Sequence, residues 1–160
     1  MSGSEDWPEE PAERVRELIE TVLDELDLDG EAVIDEDEER IEATISGDDD
    51  YGLLIGRRGQ TIDAVQLICY QAAFQGHRER KRVIVDVAGY RDRRRETLTA
   101  RADVAAEQAL TSGRVVELES MTAQERRVIH EYLKERSGVE TYSEGEEPQR
   151  CVVVSPILAP

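Results

Sequence analysis

Two spacings of apolar residues alternate along this chain. Pro11 suits a first helical turn, and Val15, Leu18, Ile19, Val22, Leu23 and Leu26 then recur every three or four residues with acids between them, which predicts an amphipathic helix. Asp29-Gly30 stops it. Ala32 to Ile34 is a short strand. Ile41, Ala43 and Ile45 alternate with Arg40, Glu42, Thr44 and Ser46, the pattern of a strand buried on one face. Asp48, Asp49 and Asp50 break that strand, and a short apolar turn, Leu53-Leu54-Ile55, leads into Gly56-Arg57-Arg58-Gly59. From about Gln60 to Phe74 the helical period returns, with Ile62, Val65, Ile68, Cys69, Ala72 and Ala73 as the expected inner face. Gly76 ends this helix, and Val83 to Val87 reads as a strand.

Only Ala88 and Gly89 separate that strand from the next helical run. Its expected inner face is Leu98, Ala102, Ala105, Ala106 and Ala109, closed by Ser112-Gly113. Val115 to Leu118 reads as a strand. Thr122 and Glu125 have the spacing of a capping box, opening a helix with apolar Val128, Ile129, Tyr132 and Leu133. Ser137-Gly138 stops it. Two more strands, Val139 to Ser143 and Arg150 to Val154, flank the turn Glu144 to Pro148. The pattern gives an α+β chain with an acidic disordered tail over 1–10, one module over 11–89, a second over 90–155, and a tail over 156–160.

Charge changes this picture. The formal net charge of −17 argues at first against nucleic acid. Its distribution does not: residues 1–50 carry −18, residues 51–114 carry +5 and residues 115–160 carry −4. The acidic third is either a solubilising surface or an acidic segment that competes with nucleic acid for the basic middle. Cys69 and Cys151 lie in apolar runs and make no C-x-x-C. With His77 and His130 far apart there is no metal-ligand spacing, so no metal or other cofactor is expected. No run reaches the ~18 apolar residues of a membrane span, and the acidic start is not a signal peptide. The expected setting is the cytoplasm.

The chemistry concentrates at Gly56-Arg57-Arg58-Gly59. Gly56 and Gly59 can take backbone angles that a Cβ forbids. The helix that follows points its free N–H groups back at the turn, where they favour an anion such as phosphate. Arg57 and Arg58 add two full charges there. Arg78, Arg80, Lys81 and Arg82 extend a basic track after the helix. The run Arg91–Arg95 either meets phosphate or satisfies the acidic third.

The order helix, strand, strand, short helix, glycine motif, helix, strand, with Ile55-Gly-Arg-Arg-Gly-x-x-Ile62 at its centre, resembles the bacterial, type II KH domain (αββααβ) over about residues 12–88. The resemblance implies that Gly56 to Gly59 clamps the backbone of about four nucleotides, with Leu54, Ile55 and Ile62 lining an apolar groove against which bases lie. In the second module Arg126 and His130 stand four apart on one helix face, beside the apolar stripe, ahead of Ser143-x-Gly145-x-x-Pro148-x-Arg150. That arrangement resembles the domain named for its Arg-x-x-x-His signature, with helices packed on a small three-stranded sheet and an association with single-stranded nucleic acid. The carried-over pair is Arg126 and His130, with Arg150 a weaker candidate.

The two modules in this order, with the string Val139 to Pro148, resemble the Jag family, also called SpoIIIJ-associated proteins, over about residues 12–155. Many of its members carry a further N-terminal module and a long linker. The resemblance implies a single-stranded RNA-binding protein, an RNA chaperone or post-transcriptional regulator; single-stranded DNA is the other candidate ligand. It also implies the competing reading, a protein-interaction module whose KH groove takes a small KH protein or a second copy, with an indirect link to membrane-insertion machinery. No nucleophile–base pair is legible, and Gly-Arg-Arg-Gly lacks the lysine of a P-loop, so an enzyme is not expected.

Overall fold

The computed structural model describes residues 7–157. The chain divides into two compact units, Met1–Arg91 and Asp92–Pro160. The fold is α+β. In the first unit the elements run α1 (Pro11–Glu25), β1 (Glu31–Glu36), β2 (Arg40–Ser46), α2 (Gly52–Ile55), a single 3-10 turn (Arg57–Gly59), α3 (Gln60–Ala73) and β3 (Arg82–Val87). The sheet order is β1-β2-β3. β1 and β2 form an antiparallel hairpin, whereas β2 and β3 are parallel. A parallel pair needs a long crossover, and α2, the glycine turn and α3 are that crossover. The register sets Ile41, Ala43 and Ile45 opposite Val83, Val85 and Val87. These six meet Val15, Ile19 and Leu23 of α1 and Ile62, Val65, Cys69 and Ala73 of α3 in one core.

The expected inner face of α3 is corrected at one position. Ile68 is 54% exposed, and Ala72 is only half-buried. At 100° per residue Ile68 lies roughly 100° from the centre of the stripe formed by Ile62, Val65, Cys69 and Ala73. The apolar residues of α3 cover a wider arc than the sheet can bury.

α4 (Tyr90–Ser112) follows β3 directly, and the division between the units falls near its start. The second unit continues with β4 (Val116–Ser120), α5 (Ala123–Leu133), β5 (Val139–Glu144) and β6 (Cys151–Pro156). The sheet order is β4-β6-β5, antiparallel throughout, with a register shift in β4 between Glu117 and Ser120. Leu98, Ala102, Ala105, Ala106 and Ala109 form the buried face of α4, as their spacing predicts, and pack with Ile129, Leu133, Met121, Val139, Val152 and Val154. Thr122 and Glu125 make the capping box in both directions. Tyr132 is corrected to an exposed position, its hydroxyl donating to Asp103 at 2.8 Å.

Ordered structure passes the expected boundary at 155. Pro156 ends β6, and Ile157 N donates to Gly138 O at 2.8 Å. At the other end Pro8 O accepts from Arg14 Nε at 2.5 Å. The remainder of the two expected tails, 1–6 and 158–160, lies outside the described residues. No helix among the described residues is long and apolar enough to cross a membrane.

Candidate nucleic-acid interface

The glycine turn is built from backbone. Gly56 has φ 72° and Gly59 φ 77°. A Cβ on Gly56 would stand 2.8 Å from Thr61 N, and one on Gly59 would stand 2.8 Å from the Tyr90 ring. Neither position can carry a side chain without moving its neighbours. Arg58 is itself left-handed, with φ 54° and ψ 29°, a conformation few non-glycine residues adopt. Gly59 N donates to Gly56 O at 3.3 Å and closes the turn. Gly59 is the N-cap of α3 and has no side chain to cap it, so the first-turn amides face the turn, where an anion is favoured. Arg57 projects into solvent and Arg58 is half-buried.

The other candidates of the first unit separate. Leu54 and Ile62, expected to line an open groove, are 1% and 0% exposed and belong to the core; Ile55 alone of the three is partly accessible. The reason is that α2 and α3 must bury one face each against the sheet, and these two residues are on it. Arg78, Arg80, Lys81 and Arg82 follow the C-terminal end of α3, whereas the glycine turn precedes its N-terminal end. A helix of 14 residues sets those ends about 21 Å apart. Within the loop, Lys81 Nζ donates to Glu36 Oε1 (2.8 Å) and Asp37 O (2.6 Å). Arg80 lies over the Tyr70 ring, 5.8 Å from its centre. Arg78 and Arg82 are exposed.

The solvent face of α3 carries a feature that the apolar spacing alone does not announce. Gln60, Ala64, Leu67, Ile68 and Gln71, with Gln75 just past the end of the helix, are all exposed. In a chain with 36% charged residues this stripe has none. Its signal in the sequence is what remains once the buried stripe is assigned, a set of positions that are uncharged throughout.

In the second unit the candidates converge. Arg126 is not the surface residue its place beside the stripe predicts: it is 8% exposed. Its Nη1 donates to Met121 O at 2.8 Å and its Nη2 to Glu147 Oε1 at 2.5 Å. His130 pairs both ring nitrogens with hydroxyls, Nδ1 with Thr141 Oγ1 at 2.7 Å and Nε2 with Ser143 Oγ at 2.9 Å. Burial, and then the charge of Arg126, lower its pKa, so the ring is neutral, donating at one nitrogen and accepting at the other. It ties α5 to β5. Glu147, on the turn after β5, is held below the usual carboxylate range by the hydrogen bond from Arg126, with the charges of Arg126 and Arg150 adding to it. Arg150 Nε is buried without a hydrogen-bond partner. Thr141 and Glu147 are neighbours that sequence reasoning does not single out, and the contact of Ser143 with His130 is one that it does not foresee. Ser143 is a fixed point of the motif and Glu147 sits inside the string Val139 to Pro148, but what they touch is set across the fold.

At Arg91 and Arg94 the arginine run pairs inside the protein, with partners that lie outside the acidic third. Arg91 pairs with Asp63 at 3.0 Å and donates to Val85 O and Gln66 Oε1. Arg94 Nε donates to Glu125 Oε1 at 2.6 Å, joining the capping box. An apolar cleft between α4 and β4, lined by Leu98, Val104, Ala105, Leu118, Met121 and Ile129, contains none of the basic candidates.

Two family models match the chain: the KhpA/KhpB KH domain over residues 12–87, and the domain named for its Arg-x-x-x-His signature over residues 96–156. The chain is 38% identical over 141 residues to the RNA-binding protein KhpB of Clostridium symbiosum, an alignment covering 87% of this chain and 63% of that protein. To the RNA-binding protein KhpB of Bacillus subtilis (strain 168) it is 30% identical over 148 residues, 91% of this chain and 71% of that one. To the protein of the same name from Streptococcus pneumoniae serotype 2 it is 31% identical over 147 residues, 91% of this chain and 44% of that one. The chain thus spans less than two thirds of the Clostridium relative and less than half of the Streptococcus one.

Proposed function

The chain belongs to the family of the RNA-binding protein KhpB, the Jag family, and on that premise we propose that it binds single-stranded nucleic acid, RNA before DNA, as a cytoplasmic bacterial RNA chaperone or post-transcriptional regulator. The observation that carries this reading is the turn Gly56 to Gly59. Two positive-φ glycines, first-turn amides of α3 and the exposed Arg57 meet at one place, a combination suited to a sugar-phosphate backbone. Arg78, Arg80 and Arg82 offer a second basic surface at the far end of α3, about 21 Å from the turn; Lys81 contributes less, being engaged by Glu36. The relatives are named as RNA-binding proteins rather than enzymes, and we assign no reaction.

A titration with random single-stranded RNA across a salt series tests the reading. A clamp of about four nucleotides with a few contacts from the second unit engages roughly four to six phosphates, so log affinity falls against log salt with a slope of about −3 to −4. A slope near zero removes phosphate from the account. The same series with single-stranded DNA of matched sequence separates the two ligands.

A second reading is favoured by the uncharged face of α3. Leu67 and Ile68, 60% and 54% exposed, with Ala64 and three glutamines around them, suit a second KH module, from a small KH protein or another copy of this chain. An isologous contact sets the same face against itself, and a stripe without charges does so without repulsion. Sedimentation of Ile68→Asp beside the unsubstituted protein tests this: identical monomeric behaviour, with and without a KH partner, sinks it.

A further inference from the structure

In the second unit an inaccessible cation is held by an accessible anion. The Arg126 side chain is 9% exposed and the Glu147 side chain 58%. Met121 O fixes one end of the guanidinium, so the cation is the permanent part of this pair and the carboxylate the replaceable one. Glu147 rides on the turn between β5 and β6 and is well placed to return to water. Arg150, three residues on, acts on the same carboxylate, and its Nε is buried with no partner. Arg126 therefore holds the carboxylate directly, the charge of Arg150 acts on it without an ion-pair contact, and a donor is left over. A phosphate offers more acceptor oxygens than a carboxylate and suits two guanidinium forks at once.

We propose that Arg126 and Arg150 form a phosphate subsite and that Glu147 is its resident competitor, so that a nucleic-acid phosphate enters by displacing the Glu147 carboxylate. The inference rests on the RNA-binding reading above and adds a threshold to it. An anion that reaches only one arginine gives back no more than Glu147 already supplies. A phosphodiester that reaches both satisfies the leftover donor as well, and Glu147 exchanges its bond to Arg126 for hydration. His130 takes part as a positioning residue: its two hydroxyl partners are on β5, the strand that leads into the Glu147 turn.

Glu147→Gln tests this, because the amide keeps the length and an oxygen for Arg126 to donate to while the charge is gone. Inorganic phosphate is titrated into both proteins with the arginine Nε–H signals observed by NMR, and an oligouridine of about twelve nucleotides is titrated by fluorescence anisotropy. Both bind the variant about two- to fivefold tighter, because the exposed partner of a half-exposed ion pair no longer competes, and Arg150→Gln added to Glu147→Gln cancels the gain. A folded Glu147→Gln that binds phosphate no better, or worse, overturns the proposal and makes Glu147 a clamp. The unsubstituted protein gives a second reading should the variant fail to fold. With RNA bound, the Glu147 carboxyl carbon should titrate at an ordinary carboxylate value instead of below it, and an unmoved titration overturns the exchange. If RNA binds neither protein while phosphate still gains in the variant, the RNA reading falls and the competitor role of Glu147 stands.

Discussion

The two units carry cationic sites of opposite construction. The glycine turn of the first unit owes its shape to main-chain angles, and its foremost charge, Arg57, reaches into solvent. The Arg126 site of the second unit is made of side chains that already have partners: Met121 O and Glu147 for the arginine, Thr141 and Ser143 for the histidine. A site made of backbone can lose its charges and keep its fold. A site made of buried side chains cannot, because each cation also satisfies the protein. Loss of an arginine should therefore separate binding from stability at Arg57 in the first unit and lower both together at Arg126 in the second.

The sharpest test is charge reversal at the turn. Arg57→Asp with Arg58→Asp removes two charge-assisted contacts, and RNA affinity should fall about a hundredfold with circular dichroism unchanged. Aspartate is among the residues that accept a left-handed angle, so the φ of 54° at position 58 is no obstacle. Affinity that survives in the folded variant would mean that the turn is not the clamp.

Arg126→Ala is the counterpart. It orphans Met121 O and releases Glu147, and denaturant unfolding of the second unit should show a loss of about 2 kcal/mol, the cost of stranding buried polar groups. Loss of RNA affinity with full stability would place Arg126 in the same class as Arg57 and erase the contrast.

A smaller effect separates the backbone of the turn from its charges. Gly59→Ala meets both the φ of 77° and the Tyr90 ring and should cost about 1–2 kcal/mol. At Gly76, where φ is 83° but no atom lies within 4 Å of the added Cβ, alanine meets the angle alone. Equal unfolding midpoints for the two variants would show that Tyr90 yields freely.

The smallest effect is the pH response of His130. Its folded pKa lies below the unfolded value of about 6.5, so the folded state holds fewer protons. Stability from this group is complete above that value and drains away as pH falls below it toward the folded pKa. Unfolding midpoints at pH 7.5 and 5.5 should show the second unit weaker at 5.5, before carboxylates titrate. In His130→Gln that difference should shrink; an unchanged difference would assign the drop to other groups.

What the sequence determined by itself was whatever a few adjacent residues decide. The order of elements, the buried faces of α1 and α4, the capping box at Thr122 and Glu125 and the glycine turn depend on period, propensity and backbone freedom within one or two turns of chain. The motif positions 126, 130, 143 and 150 were legible as a set through their family resemblance. Tertiary structure decided the roles. Leu54 and Ile62 went to the core because α2 and α3 must each cover the sheet. Ile68 stayed outside because the sheet admits only a narrow stripe. Arg91 and Arg94 turned inward to Asp63 and Glu125. Arg126 was buried against a carboxylate 21 positions later, and His130 was bridged to two hydroxyls on another strand. Each of these outcomes depends on which distant segment supplies the partner, and a desolvated charge or donor takes the partner that packing brings to it. Spacing along the chain carries no record of that choice.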